Sequence, residues 1–157
     1  MNKLHLTLPL ALLLALATGC RSYDGLMSEY RHAEGAEYHH AGPALFGLAR
    51  MLSPKEGAAP LRSIRKVRSL DLSDCTPAVR ERFAQQALRY TPRRYEPLVT
   101  ANDGDEHARI LVRQRRGTIR ELLIISVDGD ECIMTQIKGQ VSPKHVGRWL
   151  AGQEGRH

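Results

Sequence analysis

The first pattern along the chain is an apolar run from Leu6 to Leu16, interrupted only by Thr7 and Pro9. A helix that spans a membrane needs roughly 20 apolar residues, so this run is too short. Its length suits the core of a signal peptide, usually ~7–15 residues. After it, apolar and polar positions mix. Leu26, Met27 and Tyr30 share one side of a short helix over Tyr23–Arg31, which Gly35 ends. Ala36 to His40 reads as a short strand, and Gly42-Pro43 turns the chain into a second helix, Ala44–Leu52. Leu45, Leu48 and Leu52 form one stripe on that helix. Ser53 to Pro60 is a loop.

Ile64 to Leu72 alternates like a strand. Thr76 then suits a helix N-cap and Pro77 the first helical position. In the helix that follows, to about Tyr90, Val79, Phe83, Ala87 and Leu88 face inward and Arg80, Glu81, Arg82 and Arg89 outward. Thr91-Pro92 stops it. The remainder reads as a meander. Tyr95–Thr100 is a strand that Pro97 assigns to an edge, and residues 101–105 turn. Ala108, Ile110 and Val112 lie on one face of the next strand. Arg116-Gly117 turns again, into a strand with Ile119, Leu123, Ile125 and Val127 on one face and Leu122 and Ile124 on the other. Apolar residues on both faces predict a central strand. Asp128-Gly129 signals a hairpin into Ile133, Thr135 and Ile137, and Ser142-Pro143 starts a last helix to about Leu150. These elements predict a single α+β domain over 23–151: an antiparallel meander sheet with helices packed on one face, then a polar tail over 152–157.

The small residues after the apolar run end in Ala17-Thr18-Gly19-Cys20. This resembles the lipobox of bacterial lipoproteins, although Ala17 stands where Leu is commonest. The resemblance implies a signal peptide cleaved after residue 19, acylation of Cys20, and a lipidated tether over 20–22. Arg21, rather than Asp, after the cysteine favours the outer membrane facing the periplasm over the inner membrane. Several buried acyl chains, at ~0.8 kcal/mol per CH₂, would hold such a protein permanently.

Loss of residues 1–19 leaves 138 of the 157, enough for one domain with its own core. The net charge is +6, or +5 without Lys3. A basic surface in the envelope could meet acidic lipid or polysaccharide, whereas nucleic acid is the wrong partner for that compartment. With Cys20 acylated, Cys75 and Cys132 remain as candidates for a disulfide closing 56 intervening residues, worth about 4 kcal/mol if the geometry allows, or as two separate buried thiols. Arg113, Arg115, Arg116 and Arg120 surround one hairpin turn and form a candidate basic binding edge, though charge there also deters strand-to-strand aggregation. Asp103-Gly104-Asp105-Glu106 and Asp128-Gly129-Asp130-Glu131 could hold a hard cation. Asp-Gly is equally what tight turns select. Adjacent His39 and His40 point to opposite faces of a strand and do not converge on a metal. No Cys-x-x-Cys, Gly-x-Ser-x-Gly elbow or Gly-rich phosphate loop is present, so no catalytic residue, metal site or cofactor is expected.

Tyr23-Asp24-Gly25-Leu26-Met27, Glu34-Gly35-Ala36-Glu37-Tyr38, Leu45 to Leu52, Ile64 to Leu72, the segment Gly117 to Ile124 and Gln136-Ile137-Lys138-Gly139 follow the lipoprotein-type signal. Together they resemble the domain-of-unknown-function 4252 family of small exported bacterial proteins and lipoproteins. The resemblance covers nearly the whole mature chain and implies address and fold without a mechanism. The functional expectation is a non-enzymatic, lipid-anchored envelope domain that contacts an envelope protein partner. The alternatives are a basic module for acidic lipid or polysaccharide, and a metal-dependent role through the Asp-Gly-Asp-Glu turns.

Overall fold

In the computed structural model, residues 22–52, 63–89 and 91–141 are described. The expected signal peptide, Cys20, the loop expected over 53–60, the helix expected from Ser142 and the tail expected over 152–157 lie outside them. The elements are α1 (Tyr23–Tyr30), β1 (Glu37–Ala41), α2 (Pro43–Leu52), β2 (Ile64–Asp71), α3 (Pro77–Arg89), β3 (Glu96–Asp103), β4 (Glu106–Arg115), β5 (Thr118–Asp128) and β6 (Glu131–Val141). The six strands form one sheet, ordered β1-β2-β6-β5-β4-β3, with every neighbouring pair antiparallel. The fold is α+β.

Ser22 starts α1: its Oγ accepts the Gly25 N–H at 3.1 Å, satisfying one of the helix's orphan donors. Tyr23, Leu26, Met27 and Tyr30 of α1 and Phe83 and Ala87 of α3 pack on one sheet face, against Leu70, Leu111, Leu123, Ile125 and Met134. Burial of each large apolar side chain contributes about 1.5–3 kcal/mol, so this cluster dominates the stability. The other face carries Ile110, Val112, Ile119 and Leu122. β5 is thus apolar on both sides and lies between β4 and β6, as its sequence predicts. Pro97 lies on β3 at the sheet edge, where a missing N–H costs no ladder bond.

Four details depart from the sequence reading. Ile119 belongs to the second cluster with Leu122, and not to the face of Leu123 and Ile125. A bulge between Ile119 and Glu121 shifts the alternation by one residue. Leu45 and Leu48 of α2 are 56% and 53% exposed, so these two leucines face away from the core. Arg80 is half-buried, donating to the Ser73 and Cys75 carbonyls at 2.8 and 3.0 Å and pairing with Asp130 at 2.7 Å. Both Asp-Gly segments turn as expected, but each strand runs on through its Asp. Gly104 (φ 57°) and Gly129 (φ 52°) therefore take the first loop position, the type II′ arrangement.

Candidate anion-binding site

The register sets Arg113 of β4 beside Glu121 of β5, and Glu121 beside Lys138 of β6. Glu121 is 4% exposed. A carboxylate that deep must be paired or hydrogen-bonded. Arg113 reaches one of its oxygens through Nε at 3.0 Å and Nη2 at 2.9 Å. The other oxygen accepts from the Tyr95 hydroxyl and from Gln136 Nε2, with Lys138 Nζ at 3.6 Å. Gln136 in turn accepts from Arg68, Arg68 pairs with Asp24 of α1, and Asp24 lies 3.6 Å from Lys138. The circuit closes on itself and ties the start of α1 to three strands. Burial, followed by the bond to Glu121, pushes the Tyr95 phenol well above its ordinary range, so it stays a donor. Burial also lowers the Arg68 guanidinium, with Glu121 opposing that shift.

Beyond this row, the sheet end opens into a cavity of about 480 Å³ walled by Arg65, Arg113, Arg115, Arg116, Arg120 and Lys138. All four arginines expected on one basic edge are brought together here. Arg65 and Lys138 complete the ring from β2 and β6. Their distance in sequence from the 113–120 hairpin hid them from a local reading.

The backbone makes this geometry. Three register irregularities, between Ile64 and Lys66, Arg113 and Gln114, and Ile119 and Glu121, fall at this end of the sheet, and a fourth lies between Pro97 and Val99 on β3. Bulges re-aim side chains, and their concentration here is one mark of a built site. In unbroken alternation Arg120 would share the face of Leu122, yet it joins Arg113 and Lys138 around the cavity. Its Nε is buried and has no hydrogen-bond partner among the described residues. Gly139 closes the floor: a Cβ there would lie 2.2 Å from the Ser63 carbonyl oxygen, so only glycine lets β6 approach β2 this closely. At the open side, Arg116 (φ 53°) and Gly117 (φ 73°) form a turn with two left-handed residues, the type I′ pattern.

A second cavity of about 740 Å³ adjoins the first and shares Arg113 and Lys138 with it. Ser22, Tyr23, Asp24 and Tyr95 line it, with the two tyrosine rings edge to face at 5.6 Å. Ser22, the cap of α1 and two residues after Cys20, therefore sits beside the arginine pocket.

Glu121 escaped the sequence reading. The available signal was a single acid within the apolar run from Ile119 to Val127. Cys75 and Cys132 both lie in the main core cluster, as thiols. Burial raises both, Cys132 to about 11. His39 is exposed and pairs with Glu37 at 3.3 Å. Among the described residues no three His, Cys, Asp or Glu side chains come together to hold a metal ion, and no helix is long and apolar enough to cross a membrane.

A family model described as "Domain of unknown function (DUF4252)" matches residues 30–149, about three quarters of the chain. No curated protein and no solved structure matches.

Proposed function

The chain belongs to the DUF4252 family, and from that premise we propose that it is a lipid-anchored envelope protein that binds an acidic envelope component in its arginine pocket. The observation that carries the reading is the convergence of six cationic side chains on one cavity. Two carboxylates offset part of that charge, Glu121 beside Arg113 and Lys138, and Asp24 beside Lys138. Among the described residues Arg65, Arg115, Arg116 and Arg120 remain without a carboxylate partner. Like charges held this close repel, and an anionic ligand relieves the repulsion.

The proposed role is binding and not catalysis. Both Glu121 oxygens are occupied by donors, which leaves that carboxylate no free lone pair for proton transfer. Lipidation at Cys20 would hold the pocket near a membrane surface, because Ser22 and Asp24 line the adjoining cavity. Acidic lipid headgroups and charged polysaccharide are the acidic components within reach of such a tether.

Two measurements test the reading. Palmitate labelling is expected to disappear in Cys20→Ala, and labelling that persists removes the anchor. Cosedimentation with lipopolysaccharide is expected to weaken as salt rises, since exposed charges are screened over ~8–10 Å at physiological salt. Binding indifferent to salt would refute the electrostatic role.

A second reading, contact with an envelope protein, draws on the exposed Leu45 and Leu48 of α2. In-cell crosslinking that recovers one recurrent protein, lost in Leu45→Lys/Leu48→Lys, would favour it.

A further inference from the structure

We infer that the anionic group taken by this pocket is a phosphate, and that Arg120 is the residue that holds it. The inference rests on the pocket being an anion site and goes further by naming the chemistry.

Donor accounting separates the arginines. Arg113 spends Nε and one Nη nitrogen on Glu121. Lys138 sits between Glu121 and Asp24, at 3.6 Å from each. Arg115 and Arg116 are exposed, so water satisfies their donors. Arg120 differs: its Nε is buried, donates to nothing among the described residues, and belongs to a side chain on the pocket wall. Leaving a buried charged donor unmade costs its full desolvation. A native structure holds few such groups, and a bound ion is one of the things that completes them. The bulge between Ile119 and Glu121 supports the same conclusion, because it brings Arg120 around from the apolar face to this wall.

Charge and shape then select the ligand. The four surplus positive charges are poorly matched by a lone carboxylate. A phosphate monoester carries about −1.5 to −2 and three acceptor oxygens. The planar guanidinium presents parallel N–H donors that fit two of those oxygens at once. A volume of about 480 Å³ accommodates a phosphorylated headgroup as well as a free oxyanion.

The test uses the full chain in zwitterionic detergent, titrated calorimetrically with inorganic pyrophosphate and with citrate, a carboxylate ligand of similar charge. Pyrophosphate is expected to bind about tenfold tighter than citrate, one good charge-assisted bidentate contact in favour. Arg120→Lys keeps the charge but removes Nε and the fork, and should abolish that preference. Arg82→Lys, on the exposed side of α3, should leave it unchanged. Equal affinity for the two ligands, unaltered by Arg120→Lys, overturns the phosphate assignment while the broader acidic-ligand reading stands. Binding of neither overturns both. Should Arg120→Lys fail to fold, phosphorus NMR of pyrophosphate with the unaltered chain decides: broadening that citrate does not compete away upholds the assignment, and broadening fully displaced by equimolar citrate refutes it. Phosphatidylcholine vesicles with and without phosphatidic acid identify the source. Binding that needs phosphatidic acid and is competed by pyrophosphate shows a lipid-borne phosphate. Pyrophosphate binding without vesicle binding shows a soluble one, and either upholds the assignment.

Discussion

Arg116 is held at φ 53°, a left-handed backbone that side chains other than Gly, Asn and Asp rarely adopt. The conformation costs an ordinary L-residue roughly 1–2 kcal/mol, and asparagine substantially less. Arg116 is exposed, so Arg116→Asn forfeits little packing. It also removes one of six cations that crowd the same cavity, which relieves repulsion in the folded state. Both effects have the same sign, and the expected gain is about 1 kcal/mol. For a domain of this length that raises Tm by about 3 °C. The same variant should bind pyrophosphate several-fold more weakly, with a shallower salt dependence, because the pocket has lost a charge. Differential scanning calorimetry and titration calorimetry on one preparation measure both. A Tm that stays level or falls refutes the strain at the turn. An unaltered affinity removes Arg116 from the pocket. Gain of stability with loss of binding is what a strained residue kept for function predicts.

Three further outcomes follow from the same geometry. Glu121→Gln should lower stability by about 2 kcal/mol, less than the 3–5 for a fully buried pair, because Arg113 reaches solvent; it should also tighten pyrophosphate binding by freeing Arg113 of its counter-charge and leaving Lys138 with Asp24 alone, and weaker binding would contradict the charge accounting. The stability that Cys132 contributes should be present in full below pH 9 and be lost as pH rises toward 11, since the unfolded Cys132 thiol ionises near 9 while the folded one holds its proton to about 11. That loss is on the order of 2–3 kcal/mol, and thermal melts across this window should show a smaller slope in Cys132→Ala; an equal slope would mean the thiol is not the titrating group. Gly139→Ala would set a Cβ 2.2 Å from the Ser63 carbonyl oxygen and 2.9 Å from Ile64 Cα, forcing β6 from β2 at the pocket floor. Tm and pyrophosphate affinity should drop together, and a melt unchanged from wild type would show that the strands yield there at no cost.

The helices and strands were legible because their signals are local. Thr76-Pro77 and the Gly and Asp-Gly turns punctuate the chain, and the two-sided apolar run of β5 identifies a central strand from its own residues. Misreadings arose where the period slipped or where burial depended on a distant neighbour. The bulge at β5 moved Ile119 to the other face. Leu45 and Leu48 fall on one apolar stripe of α2, and only the packed structure turns these two outward. Arg80 reads as one more exposed helical charge, yet two carbonyls of the turn before the helix and the distant Asp130 carboxylate draw it in.

The sequence by itself determined the element order, the α+β class and the clustering of Arg113, Arg115, Arg116 and Arg120, since residues near in a hairpin are near in space. The tertiary structure decided that Arg65 and Lys138 join them, that Glu121 is the buried partner of Arg113 and Lys138, and that Arg120 Nε has no partner among the described residues. Those facts depend on which strands pair and in what register, and a single bulged residue reverses the face on which a side chain emerges.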